Sequence, residues 1–212
     1  MMKTCYIACA LDCKIEILPK ENDLVIGADR GYFTLVENGI KPDVAIGDFD
    51  SYKGKIECES TFVFPVKKDD TDSALAIKFA CEQGYKRVVV FGAIGGCLDH
   101  TIANISLAAQ YTEKGIDICF IDGENVLFGV FNGKISFDEG AEGRISVFSF
   151  GDRAEGVCER GLLYTLENET VTSRVPLGVS NEFVGKKAEI SVSNGTLLIY
   201  TSRENYENHL TK

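Results

Sequence analysis

The sequence predicts an α/β fold, in which a mainly parallel sheet with flanking helices is followed by an all-β sandwich. Two observations carry this. Up to about Asp122, apolar strand-like runs alternate with helix-like segments, the pattern of a parallel sheet covered on both faces. Beyond it helical periodicity vanishes, and short alternating strands succeed one another between Gly, Asn and Asp turns. The change of pattern divides the chain into 1–125 and 126–212, with neither an internal repeat nor a low-complexity linker.

Taken in order, "TCYIACAL" is an apolar opening strand, and "DLVIGADRG" a second that ends in Asp29 and Gly31. "YFTLVENG" reads as a short helix closed by Gly39, a common stop signal. "KPDVAIGDFDS" supplies a third strand and "TFVFPV" a fourth. The capping side chains of "KKDDTDS" introduce the helix "ALAIKFACEQG". "RVVVFGAIGG" is rich in β-branched residues and suits a sheet interior. "HTIANISLAAQYTEKG" is the next helix and "DICFID" the strand after it. In the second part "KISF", "RISVFSF", "GLLYTLE", "ETVT" and "AEISVSNGTLLIYTS" read as strands, with "SNGT" a two-residue hairpin turn.

Composition narrows the function classes. With 45% apolar and 25% charged residues in 212, the chain is an ordinary globular protein able to bury a core. A net charge of −10 argues against a nucleic-acid surface, which needs clustered Lys and Arg. It leaves room for an anionic ligand, because a divalent cation can supply positive charge locally. None of the eight cysteines forms a CxxC pair, and with only His100 and His209 a zinc site has little support. Buried free thiols in a reducing cytosol are expected instead. The apolar N-terminal stretch is broken by Asp12, too early for a signal-peptide core, and no run approaches a membrane span. The expected setting is cytoplasmic.

Ligands of open α/β sheets bind outside the carboxyl ends of the strands. Four polar clusters fall at such ends: Asp29, Arg30 and Gly31; Asp48, Asp50 and Ser51; Lys67 to Asp72; and Gly92, Gly95, Gly96, Asp99 and His100. In an extended segment Asp48 and Asp50 point to one side, with Cα atoms about 7 Å apart. Carboxylates converging to about 4 Å would repel by roughly 4 kcal/mol at an effective dielectric of 20. Water, a shared proton, a basic side chain or a cation must offset that, and Mg²⁺ prefers such hard oxygens together with substrate phosphates. By itself the pair is equally well a solvated turn or a cap. "KKDDTDSALAI" is two-sided in the same way: one of its residues caps a helix, while lysines beside aspartates also suit phosphate and metal. "GAIGGCLDH" lets backbone approach a ligand but is neither GxGxxG nor a Walker loop. In "PLGVSNEF", Ser180 and Asn181 make a turn on the plain reading.

The ordered set "ADRG", "GDFDS", "KDDTD", "GGCLDH", "GLLYTL" and "GVSNEF" resembles the thiamine pyrophosphokinase family over nearly the whole chain. The resemblance implies a Rossmann-like first domain that binds ATP and a second domain that binds thiamine and dimerises. It implies transfer of the pyrophosphoryl group of ATP to the thiamine hydroxyl, with Mg²⁺, in a homodimer whose thiamine lies between the first domain of one subunit and the second domain of the other. Carried over motif by motif, it assigns Asp29, Asp48, Asp50 and Asp72 to metal and triphosphate. Asp72 and Asp99 take the catalytic roles. Gly31, Lys68, Asp69, Thr71, Gly95, Gly96 and His100 border the nucleotide, and Ser180 and Asn181 the thiamine. One departure is Cys97, where the family usually has arginine. Other readings remain open here: a haloacid-dehalogenase-type phosphatase with Asp48 as nucleophile, a pyrophosphokinase for another alcohol, and a non-catalytic sensor of nucleotide or thiamine.

Overall fold

The computed structural model describes residues 3–49, 56, 58, 60–63 and 70–211. The chain is mixed α/β and divides into two compact units, residues 1–107 with 116–123, and residues 108–115 with 124–212.

In the first unit, β1 (Thr4–Ala8), β2 (Leu24–Ala28), β3 (Val44–Gly47), β4 (Ser60–Val63), β5 (Arg87–Phe91) and β6 (Asp117–Asp122) are joined by α1 (Gly31–Glu37), α2 (Asp72–Glu82) and α3 (Leu98–Glu113), the last crossing the division between units. The strands run parallel in the order β6-β5-β1-β2-β3-β4. The β-branched run of β5 is buried from Val88 onward, as a strand covered on both faces requires. Ile7, Ile26, Ile46 and Phe120 fill the same core. Because β1 is followed on one side by β2 to β4 and on the other by β5 and β6, strand order reverses between β1 and β5. That is where an open parallel sheet leaves a crevice at its carboxyl edge.

The expected first strand extends to Leu11, but β1 ends at Ala8. The Cys9 N–H still donates to the Phe91 carbonyl (2.8 Å), and the ladder then stops as Gly92 turns to a φ of +63°. Only glycine fits there, since a Cβ would also overlap the Leu11 carbonyl oxygen. Of the expected fourth strand, Phe64, Pro65 and Val66 lie outside the described residues, as do Asp50, Ser51, Lys67, Lys68 and Asp69.

The second unit is antiparallel and contains β7 (Asn125–Phe131), β8 (Lys134–Phe137), β9 (Arg144–Arg160), β10 (Leu166–Thr172), β11 (Gly178–Glu182), β12 (Ala188–Ser191), β13 (Asn194–Ser202) and β14 (Leu210–Thr211). The long β9 serves two sets of partners. Its first half pairs with β13 and β11, its second half with β12 and β10. The pairing of β13 jumps from Phe150 to Glu155 of β9, which marks the changeover. The expected "SNGT" hairpin does not form: β12 pairs with β8 and β9, whereas β13 pairs with β7 and β9. The Asn-Gly corner therefore carries the chain from one set of strands to the other. The sequence reading also omits β7 and β11, and it ends the β9 strand at Phe150 rather than Arg160. "GLLYTLE" is mostly loop, with Leu162 bridged to Phe183.

Candidate active site

At the carboxyl edge of the first unit lies a cavity of about 310 Å³. It is lined by Cys9, Ala10 and Leu11 just after β1, by Ala28 and Asp29 at the end of β2, and by Thr71, Asp72 and Ser73 at the start of α2. Gly92, Ala93, Gly95 and Cys97 after β5, with His100 and Asn104 of α3, complete the wall. The cavity thus sits at the reversal of strand order, where the Leu11 N–H donates to the Gly92 carbonyl at 3.1 Å and joins the β1 and β5 loops.

Asp29 owes its place to the backbone. It takes a left-handed φ of +49°, its N–H donates to the Ile46 carbonyl (2.7 Å), and its carbonyl accepts from the Tyr32 N–H (3.1 Å). The chain leaves β2, touches the end of β3 and enters α1 within three residues. Gly31 lets this happen, since a Cβ there would overlap the Ala8 carbonyl oxygen. Gly31 is buried and is not part of the cavity wall; its observed role is close packing of α1 on β1. Asp48 directly follows β3, outside the cavity wall.

Thr71 is the cap of α2, its Oγ1 accepting from the Ala74 N–H at 3.2 Å. Asp72 occupies the first turn, where the helix dipole favours negative charge, and it lines the cavity. Cys9 is buried against the same wall. Burial first, then the neighbouring Cys13 and the Asp72 carboxylate, push its thiol up to about 12, so it remains a protonated thiol at neutral pH. All eight cysteines are free; only Cys5, Cys9 and Cys119 are buried, and Cys97 is exposed at the cavity.

Gly95 and His100 line the cavity, and Gly96 and Asp99 lie outside its wall. Asp99 is exposed, and its Oδ1 accepts from the His100 N–H at 2.9 Å in the first turn of α3. Thr101 Oγ1 donates within the same loop and accepts from the Gly95 N–H (3.1 Å), bracing the glycines. Arg30 pairs with Asp12 at 2.9 Å.

Among the described residues no three His, Cys, Asp or Glu side chains are grouped closely enough to hold a metal ion by themselves. Asp29 and Asp72 nevertheless fit Mg²⁺. They are hard oxygen donors in one cavity, and Mg²⁺ is commonly held by one or two carboxylates with water and phosphate oxygens completing its shell.

The second unit holds the other predicted pair. Ser180 is exposed with a φ of +58°, at a register shift between β11 and β9, and its N–H donates to Ser146 Oγ (3.0 Å). Asn181 is buried to 2% exposure. Its Nδ2 donates to Glu159 Oε2 (2.9 Å) and the Tyr164 carbonyl (2.7 Å), and its Oδ1 accepts the Tyr164 and Glu182 N–H groups, both at 2.9 Å. Both donors of its amide are thus used within the fold. Asn181 thereby ties the Tyr164 backbone to Glu159 and β11. Glu159, 1% exposed, is the residue sequence reasoning missed; burial pushes its carboxyl up to about 7, against the lowering effect of the Asn181 bond.

In the first unit the missed residues are Cys9 to Leu11, Ser73 and Asn104. The strand-end rule applied to the first strand points to Cys9–Leu11. Nothing local in the sequence marks Asn104.

Two family profiles match the chain in succession: "Thiamin pyrophosphokinase, catalytic domain" over residues 15–120 and "Thiamin pyrophosphokinase, vitamin B1 binding domain" over 133–197. Over 191 residues the chain is 31% identical to the thiamine pyrophosphokinase of Bacillus subtilis (strain 168), covering 87% of this chain and 89% of that one. The crystal structure of the Bacillus subtilis thiamine pyrophosphokinase is similar with a TM-score of 0.81 at 28% identity, covering 94% and 99% of the two chains. That of a thiamin pyrophosphokinase family protein from Enterococcus faecalis gives 0.80 at 27% identity, covering 95% and 99%. The chain belongs to the thiamin pyrophosphokinase family. These matches lend no support to the phosphatase, the alternative pyrophosphokinase or the sensor. Asp48 moreover follows the third strand of the sheet, not the first as the phosphatase motif requires. Among the described residues, no helix is long and apolar enough to cross a membrane.

Proposed function

We propose that this chain is a thiamine pyrophosphokinase, transferring the β,γ-pyrophosphoryl group of ATP to the hydroxyl of thiamine. The observation that carries the proposal is the succession of the two family profiles, the first of which contains Asp29, Thr71, Asp72 and His100 of the cavity wall. Residues 1–125 are assigned as a Rossmann-like ATP-binding domain, and residues 126–212 as a β-sandwich that binds thiamine.

The hydroxyl oxygen of thiamine forms a bond to the β-phosphorus as the bond from that phosphorus to the oxygen bridging to the α-phosphorus breaks. AMP leaves with that electron pair, and the hydroxyl proton passes to a carboxylate. Asp72 is the better-placed acceptor, because it lines the cavity while Asp99 is exposed beside it. Asp29 and Asp72 would hold Mg²⁺, which when bound neutralises charge on the phosphate oxygens, and the family resemblance alone adds Asp48 and Asp50 to the metal and triphosphate. The N–H groups at the start of α2 and the glycine loop after β5 would face the phosphates, and the family resemblance adds Lys68 and Asp69 to the nucleotide site. Thiamine is a cation, so the acidic site attracts it as well.

The homodimer is supported by apolar side chains exposed in the second unit: Leu163, Tyr164, Val175, Leu177 and Val179 are each more than 40% exposed. Free cysteines throughout favour a reducing, cytoplasmic setting. Incubation with ATP, Mg²⁺ and thiamine tests the activity. Thiamine diphosphate with equimolar AMP is expected; release of inorganic phosphate, or binding without turnover, would overturn it.

A further inference from the structure

Beneath the cavity runs a chain of hydrogen bonds between segments distant in sequence. Ser73 Oγ and Asn104 Oδ1 lie 2.7 Å apart, Asn104 Nδ2 and the Ala93 carbonyl 2.6 Å, and Thr71 Oγ1 and Ser73 Oγ 3.0 Å. Its direction follows from chemistry. The Ala93 carbonyl can only accept, so the nitrogen of the Asn104 amide faces it and the oxygen faces Ser73. Ser73 spends its only hydrogen on Asn104, so the Thr71 hydroxyl donates to Ser73. A lone pair of Thr71 still accepts the Ala74 N–H that caps α2.

The chain therefore joins the residue before Asp72 to the loop between Gly92 and Gly95. Ser73 and Asn104 are 7% and 4% exposed. Polar groups buried this deeply are costly unless bonded, and all four are bonded to one another across the floor of one cavity. An apolar contact would fill the same space without fixing a direction or a distance.

We propose that Ser73 and Asn104 are positioning residues for pyrophosphoryl transfer, holding the start of α2 with Asp72 in register with the glycine loop after β5. This rests on the pyrophosphokinase reading of the cavity. Neither residue needs to touch a reactant: Asn104 acts through Ala93 on the loop backbone, and Ser73 acts through Thr71 on the α2 cap.

Asn104→Asp tests this without changing side-chain size. The ionised carboxylate still accepts from Ser73 but turns an oxygen without hydrogen toward the Ala93 carbonyl. Once protonated, its O–H donates to that carbonyl and rebuilds the chain. Burial and the facing carbonyl both favour the protonated form. Ser73→Ala breaks the chain with no titrating group, and Ser73→Thr restores the hydroxyl.

The measurements are kcat and KM for ATP and thiamine from pH 6 to 8.5, at a temperature where each variant is folded, with amide exchange of the 92–98 loop in ligand-free protein. At pH 8, Asn104→Asp and Ser73→Ala are expected to lose about 10- to 100-fold in kcat, the scale of a small misplacement of reacting groups, with little change in the KM for thiamine. The loss in Asn104→Asp should shrink relative to wild type as pH falls, that in Ser73→Ala should not, and Ser73→Thr should recover. Loop amides should exchange faster in both broken variants while the middle of α3 is unchanged. Wild-type kcat and loop exchange in both variants, or lower melting temperatures with kcat intact, would overturn the proposal. If wild type itself makes no thiamine diphosphate, the pyrophosphokinase reading falls. Loop exchange then decides whether Ser73 and Asn104 hold the two segments together, faster exchange supporting that and unchanged exchange refuting it.

Discussion

Replacing Glu159 by Gln removes a titrating group from the interior while keeping the bond from Asn181. Burial penalises the charged form and pushes the Glu159 carboxyl of the folded chain up to about 7, against 4.5 for the unstructured group. Between those values the folded state holds a proton that the unfolded state releases. Stability therefore falls as pH rises through the window and levels off above it. With about 1.4 kcal/mol per pH unit, the full effect is about 3 kcal/mol, of which about 2 kcal/mol falls between pH 5.5 and 8.5. Urea unfolding of wild type and Glu159→Gln across that range, above the isoelectric point of about 4.8, reads the difference free of the other titrating groups. The variant should gain on wild type by about 2 kcal/mol from the acid to the alkaline end. A difference that stays flat, or a variant that loses ground as pH rises, would refute the placement of this carboxyl in the interior.

Asp48→Asn or Asp50→Asn should lower turnover at least about 100-fold with little change in melting temperature, because charge on the transferring group loses its metal. Near wild-type activity in either would sink the metal assignment. Cys97→Arg should lower the KM for ATP about tenfold, the scale of one hydrogen bond to a charged group, and an unchanged KM would show that the arginine of the family is not missed here. Gly92→Ala forces a Cβ onto the Leu11 carbonyl at a φ of +63° and should cost about 1–3 kcal/mol in denaturant unfolding. A loss too small to measure would mean that the β1 and β5 loops are not packed as described.

Much of the first unit was legible because its signals are local. The apolar runs of β2, β3, β5 and β6 and the Thr71 cap are read within a few residues, and the strand-end rule then brings Asp29, Asp72, Gly95 and His100 to one edge. Contacts beyond the local pattern were not legible in the same way. Asp99 accepts its neighbour's N–H outside the cavity wall, and Gly31 packs on Ala8. In the second unit the Asn-Gly signal was present, yet β12 and β13 took different partners. The bonds of Asn181 to Glu159 and Tyr164 join segments that no local motif links.

The alternation that makes the parallel sheet, the ordered motifs that define the family and the polar residues available at the strand ends are written in the sequence. Each follows from periodicity or residue chemistry over a short span. Folding then sets which of those residues share a cavity, that β9 serves two sets of strands, and that Ser73 meets Asn104 from 31 positions away. Those outcomes turn on which distant groups find a partner when water is excluded, and no local pattern encodes that choice.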